Sequence, residues 1–403
     1  QINGISNNEK AVLLLEKRTF KELLVDMELR NLQNNIVGQE ASRLFARAEI
    51  NMGVEAFRDS LYSLLKRNTF LNIKFENMLD TLGEISRTDI RSLLGEWEKT
   101  TPLPFYSLGE PTLTKITNKG GEEFFVLKML ISNNSDYDGI IHMDIRKDGW
   151  WYQPLEDPRA KTKIEMPAHT SKEFVSVWED QIRNVEINTM VSGNLPNIIS
   201  QDINNVKQER NKIVKDSIYI LPESSFDLPG EIIVDNEDST LFILSAPPIV
   251  GLLPKWLDEV EETPFKYSGI SWWRPPLQWT ATTNDRYYGK YIRSAFVIKS
   301  GDGSQTATWK VPVPEVGQYD LYYHVFKDDE LRWNNNLQGE YHFKVKYGSE
   351  VEDAYVNLRK ANEGWEQLGS YYFDSDTVRV VLTDECKLRS VTADAVKIVN
   401  DIN

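Results

Sequence analysis

The sequence predicts a multi-domain α+β protein: an N-terminal helical domain followed by two antiparallel β-sandwich domains, immunoglobulin-like and then jelly-roll-like. Three observations predict it. Apolar side chains recur at helical spacing through the first hundred residues or so. Pro102, Pro104 and Pro111 then mark a change of period. From there onward short runs alternate apolar and polar residues between turn residues. A chain of 403 residues is too long for one ordinary core. The expected boundaries are 1–105 for the helical-hairpin domain, 106–195 for the first sandwich, 196–216 for a linker and 217–403 for the second sandwich.

The helical part begins at Ser6, which with Glu9 forms a capping box. Phe20, Leu23, Leu24 and Met27 follow at helical spacing, then Ala41, Leu44, Phe45, Ala48 and Met52, with a break at Gly53. Phe57, Leu61, Leu64 and Leu65 make a third stripe. Asn72 is expected to cap a helix carrying Phe75, Met78, Leu79 and Leu82 and ending at Gly83. Ser86 and Asp89 open a last helix with Ile90, Leu93, Leu94 and Trp97. Short connections favour antiparallel hairpins.

Strands are expected at Phe124–Ser132, Ile140–Arg146, Lys161–Met166 and Phe174–Trp178. Ile141, Met143 and Ile145 alternate with His142, Asp144 and Arg146, the pattern of a half-buried antiparallel strand. Asn194–Glu209 is polar and broken by Pro196, which reads as a linker. In the last region Thr306–Pro314, Tyr319–Phe326, Tyr341–Tyr347, Thr377–Leu382 and Asp394–Val399 continue the strand pattern, with Gly301-Asp302-Gly303-Ser304 as a hairpin turn.

A formal net charge of −15 argues against nucleic acid and against anionic lipid. Hydrophobic residues at 40% and charged residues at 27% fit a soluble globular chain. The longest apolar run, Leu241–Leu253, is short and holds Pro247-Pro248, so no membrane span is expected. No signal peptide is visible at Gln1, and a start directly before a helix cap reads as a fragment of something longer. One cysteine, Cys386, permits no internal disulfide.

The histidines, His142, His169, His324 and His342, include no pair four apart, as a His-Glu-x-x-His zinc helix requires. No Gly-x-Ser-x-Gly, phosphate loop or dinucleotide fingerprint occurs. Paired carboxylates, as in glycosidases, are the residual route, with Asp235, Glu237 and Asp238 or Asp328, Asp329 and Glu330 as the clusters. Asp235–Asp238 lacks the spacing of a calcium loop. No cofactor is expected.

Several motifs recur in order in the last stretch: Val234-Asp235-Asn236-Glu237-Asp238, Trp279-Thr280-Ala281-Thr282-Thr283, Tyr287-Tyr288-Gly289-Lys290-Tyr291, Ala307-Thr308-Trp309, Gly364–Phe373 and Ala393-Asp394-Ala395-Val396. Over about 230–400 this order resembles the golvesin/xanthan-lyase C-terminal-like domain, an all-β accessory module of secreted and surface proteins. The resemblance implies that the acidic step at 235–238 marks the domain entrance and that Asp394 bonds a neighbouring loop. A segment at about 247–278 stands out as an insert. More weakly, 35–195 resembles the non-catalytic C-terminal part of gluzincin-type zinc aminopeptidases through Ala41–Leu65, with its Gly53-Val54-Glu55-Ala56-Phe57 element, and Asp89–Trp97.

Ligand specificity is expected in the aromatic departures from the module: Trp272, Trp273, Arg274 and Trp279 in the insert, and Arg332, Trp333 and Asn334 in a later loop. Indole faces stack on sugar C–H surfaces or anchor protein interfaces, while Arg and Asn serve hydroxyl groups. The expected role is non-catalytic: accessory recognition of a surface glycan or an envelope protein, in the periplasm or at a bacterial cell surface, within a larger peptidase-like or transporter-linked protein. The alternatives are an enzyme acting on polysaccharide through paired carboxylates, and a purely structural self-association module.

Overall fold

The computed structural model describes residues 2–69, 71–87, 89–93, 98–147, 153–210, 212–222, 226, 230–245, 265–271, 273–327 and 339–400. They form two units, Ser6–Phe226 and Asp227–Asn403, the latter including Gln1–Ile5. No described helix is long and apolar enough to cross a membrane.

Helix α1 (Asn7–Lys17) starts as its sequence predicts. The Ser6 hydroxyl accepts from the Glu9 amide at 3.2 Å, and the Glu9 carboxylate accepts from the Ser6 amide at 2.6 Å. Thr19 and Glu22 repeat the device at α2 (Phe20–Val25), a second capping box the apolar stripe had masked. Helices α3 (Gln33–Met52) and α4 (Val54–Arg67) meet at Gly53, whose φ of +83° a residue with a Cβ rarely adopts.

Two expectations fail in α5 (Phe75–Ser86). Its N-cap is Lys74 and not Asn72, with no side-chain cap bond, and it runs through Gly83 to Arg87 in a left-handed conformation. Leu79, Leu82 and Ile85 pack on one cluster with Leu44, Phe57 and Leu64, and that burial carries the helix past the glycine. The expected last helix is described only as a 3-10 turn, Arg91–Leu93, where the Asp89 carboxylate accepts from the Ser92 amide at 3.2 Å. Leu94 and Trp97 lie outside the described residues.

The β part of the first unit has two sheets sharing one core. One runs Val206–Arg210, Thr112–Thr117, Glu123–Asn133, Thr170–Trp178, Ser217–Pro222, with Tyr106–Leu108 also on Glu123–Asn133. The other runs Ile198–Asp202, Ile182–Asn188, Gly139–Lys147, which also pairs Gln153–Pro154 and Lys161–Met166. Leu113, Leu127, Met129 and Phe174 from the first meet Ile141, Met143, Ile145 and Ile187 from the second. Each such side chain, once buried, contributes about 1.5–3 kcal/mol.

The segment read as a linker instead supplies strands Ile198–Asp202 and Val206–Arg210. The second of these pairs parallel with Thr112–Thr117, a departure from the all-antiparallel expectation. Polarity misled here because both strands end a sheet, where side chains face water. Ser217–Pro222 pairs with Thr170–Trp178 and so belongs to this first sandwich.

In the second unit a four-stranded sheet runs Glu231–Val234, Val396–Asn400, Gly317–Val325, Gly364–Phe373. A five-stranded sheet runs Phe242–Leu244, Thr306–Pro312, Thr377–Thr383, Glu340–Tyr347, Glu350–Asn357, and a three-stranded one runs Thr280–Thr283, Ser294–Lys299, Ser390–Ala393. Trp309, Tyr319, Leu321, Tyr323, Phe343, Phe373, Val380 and Ile398 fill the core between them. Ile2–Asn3 pairs antiparallel with Ile270–Ser271. Gly301–Ser304 does contain a turn glycine, Gly303 at φ +90°, but it makes no hairpin. Ser294–Lys299 and Thr306–Pro312 lie in different sheets, so the turn is a crossover, and Gly301 bridges Glu385.

Candidate functional site

Strand Gly317–Val325 alternates strictly. Tyr319, Leu321, Tyr323 and Val325 are buried, which turns Gln318, Asp320, Tyr322 and His324 to the other face. Antiparallel register sets His324 beside Trp365, Tyr322 beside Gln367 and Lys397, Asp320 beside Ser370, and Gln318 beside Tyr372. A shift of register between Leu321 and Tyr322 keeps these side chains on one face while Leu368 packs inward. One sheet face thus carries three aromatic rings and a row of hydrogen-bonding groups.

The contacts on this face are specific. The Trp365 ring lies 5.2 Å from His324 and 5.0 Å from Tyr288. The Lys397 ammonium stands 4.9 Å over Trp365 and 5.2 Å over Tyr322, and bonds the Glu231 carboxylate at 2.7 Å. Ser370 donates its hydroxyl proton to Asp320, Gln367 Nε2 donates to Ser370 Oγ at 3.1 Å, and the Tyr322 hydroxyl reaches Asp320 at 3.4 Å. Tyr372 is 60% exposed.

Asp394 anchors one end of the face from beneath. Its carboxylate, 0% exposed, accepts from the Tyr288 amide at 3.1 and 3.2 Å and faces His324 Nδ1 at 2.9 Å. Its carbonyl accepts from Trp309 Nε1 at 3.2 Å. This is the loop bond the sequence motif implied. Gly289 follows at φ +152°, where a Cβ would fall 1.9 Å from the Ile292 carbonyl oxygen. Only glycine lets the Tyr288 loop lie this close. Burial pushes the Asp394 carboxyl above the usual carboxylate range, while the His324 charge and hydrogen bond and the Tyr288 amide pull it back.

The acidic step at 235–238 is a turn closing Glu231–Val234. The Asp235 carboxyl is pushed well up, first by burial and then by the Asp394 charge. The Asn236 side-chain amide bonds Ser294 Oγ at 2.7 Å, and Glu237 bonds Ser294 and pairs with Lys266 at 2.5 Å. Asn236 and Glu237 thus tie this turn to Ser294 and Lys266, while Asp235 and Asp238 accept from Asn236 and Thr240 within it.

The residues singled out by composition fare differently. Trp273 is 62% exposed, with the Arg389 guanidinium 5.2 Å over its ring. Arg274 closes a turn, its amide donating to the Ser271 carbonyl at 2.9 Å. Trp279 packs against the core, and its buried Nε1 has no hydrogen-bond partner among the described residues. Trp272, Arg332, Trp333 and Asn334 lie outside the described residues, as do Asp328, Asp329 and Glu330. The sheet-face residues were missed because register alone brings Tyr322, His324, Trp365 and Lys397 together; the one available signal was the alternation of Gln318, Asp320, Tyr322 and His324. Elsewhere, His142 is held below the usual imidazole range, by burial and by Lys163, and His342 stacks 4.8 Å from Tyr355 and bonds Asp353.

Residues 275–400 match the family model described as the Golvesin C-terminal domain, in line with the resemblance stated above. Among curated proteins none matches the chain. Among solved structures the chain is similar to a Paenibacillus xanthan lyase at 15% identity and a TM-score of 0.30, over 74% of this chain and 27% of that one. It is similar to a Bacteroides uniformis beta-glucuronidase at 13% identity and a TM-score of 0.22, over 78% and 32%. For Legionella pneumophila aminopeptidase A the figures are 17%, 0.18, 35% and 15%. The chain therefore spans less than a third of each of these proteins.

Proposed function

We propose that this chain is a non-catalytic accessory region of a larger bacterial envelope protein and that the outer face of its four-stranded sheet binds a surface glycan. The observation that carries the reading is the row on that face, where Trp365, Tyr322 and Tyr372 alternate with Asp320, Gln367, Ser370, His324 and Lys397. A sugar offers an apolar C–H surface for the rings and hydroxyl groups that both donate and accept. From His324 to Gln318 the row runs seven residues along one strand, about 20 Å end to end, enough for several sugar rings.

Binding without turnover is favoured because the Asp394 carboxylate is fully enclosed and orients His324 rather than reaching a ligand. The match to the golvesin C-terminal domain supports an accessory module, and the resemblance of 230–400 to modules of secreted and surface proteins supports an envelope location. The cores packed between facing, mostly antiparallel sheets support reading the first unit's β part as immunoglobulin-like and the second unit as jelly-roll-like.

Affinity electrophoresis and calorimetry against a panel of neutral and acidic polysaccharides test the proposal. Trp365→Ala should weaken binding at least about tenfold, the range of a buried aromatic anchor, with the unfolding midpoint kept. Binding lost with Trp273→Ala or Trp333→Ala and kept in Trp365→Ala would move the site to the insert and the later loop. Release of reducing ends, abolished by changing Asp328 or Asp329, would replace the binding module with an enzyme.

A further inference from the structure

We infer that the sheet face takes a neutral glycan and discriminates against uronic-acid chains; this rests on the glycan-binding reading above. The argument is electrostatic and local. Lys397 is the ammonium on the face, and it is already spent: its Nζ bonds Glu231 at 2.7 Å, with side chains only 12% and 18% exposed. His324 is paired inward with Asp394. Asp320 lies mid-row, and among the described residues its carboxylate is bonded by hydroxyls, those of Ser370 and Tyr322, and by no cation.

A sugar carboxylate laid along the row would therefore meet Asp320 and Glu231 with no unpaired cation on that face among the described residues, and like charges at contact are strongly unfavourable. A neutral ring has no such cost. Its hydroxyls can donate to Asp320, accept from Gln367 Nε2, and meet His324 Nε2, whose ring is held in place by the Asp394 contact at Nδ1. The acidic balance of the face is thus a specificity device, with Asp320 and Glu231 as the residues that set it.

The test is calorimetric titration of the chain with neutral hexasaccharides (gluco-, manno- and xylo-configured) and with hexagalacturonate, at low and high salt. The expected result is a neutral ligand whose binding is insensitive to salt and lost in Trp365→Ala, with hexagalacturonate at least about tenfold weaker. The double substitution Glu231→Gln with Asp320→Asn frees Lys397 and should raise hexagalacturonate binding at least about tenfold relative to that of the neutral ligand. Unfolding midpoints of each variant show that the fold is kept. Salt-sensitive preference for hexagalacturonate in the wild-type chain, lost in Lys397→Met, overturns the inference and leaves the glycan reading standing. An unchanged uronate affinity in the double variant also overturns it. Failure of both classes to bind overturns the reading beneath it as well.

Discussion

Removing the Asp394 carboxylate should destabilise the second unit more than any single change on its surface. Asp394→Ala deletes the acceptor of the Tyr288 amide and of His324 Nδ1 in a site with 0% exposure. Two donors are then left in a closed space. An unsatisfied buried donor costs about 1–3 kcal/mol, and losing one partner of a buried pair about 3–5 kcal/mol. The expected loss is about 3–5 kcal/mol. Asp394→Asn keeps an oxygen for the Tyr288 amide and removes a buried charge, so its loss should be smaller, about 1 kcal/mol. Urea denaturation followed by tryptophan fluorescence measures both, because Trp309 bonds the Asp394 carbonyl and reports on this core. A double-mutant cycle with His324→Ala should return a coupling of about 0.5–3 kcal/mol. A loss for Asp394→Ala within about 0.5 kcal/mol of zero, the range of an ordinary surface change, would refute the anchoring role. The same variant should weaken glycan binding, since Tyr288 and His324 both pack on Trp365.

The Asp235 carboxyl, held well above its ordinary value by burial and by Asp394, gives a pH test. A raised acid binds its proton more tightly in the folded state, so its favourable contribution is complete below the unfolded value of 3.8 and is lost as pH rises through the folded value. Asp235→Asn should therefore stabilise the chain at neutral pH, with the advantage vanishing below about 3.8; a thermal-melt series from pH 3 to 8 showing a constant difference would contradict the assignment. In the first unit, the Glu9 carboxylate serves both the Ser6 amide and, at 2.8 Å, the Asn197 amide. Glu9→Ala should cost about 2–3 kcal/mol, the sum of a lost cap and a stranded buried donor, and Glu9→Gln should recover most of it; equal denaturation curves for all three chains would show that neither bond matters.

How much of this could be read without coordinates depends on the range of the interaction. Capping at Ser6 and Glu9, the break at Gly53 and the alternation of Ile141, Met143 and Ile145 are set within a few residues, and they were legible. The order of motifs over 230–400 likewise identified a golvesin-like unit, because each motif is a turn or core position that the local chain must supply. What misled was context. Ile198–Asp202 and Val206–Arg210 have the composition of a linker and become strands only because neighbouring strands accept their backbone bonds. Gly83 reads as a helix end until burial of Leu79, Leu82 and Ile85 carries the helix past it.

The sequence by itself determined the helical start, the two β regions, the acidic balance and the absence of a His-Glu-x-x-His pair. It also placed Asp394 correctly as a bond to a neighbouring loop. Only the tertiary structure decided which residues share a surface. Tyr322, Trp365 and Lys397 come from three strands far apart in the chain, and antiparallel register, which composition does not encode, sets them side by side. The same register joins Lys397 to Glu231 and leaves Asp320 without a cation among the described residues, so the charge of the face is a property of the fold.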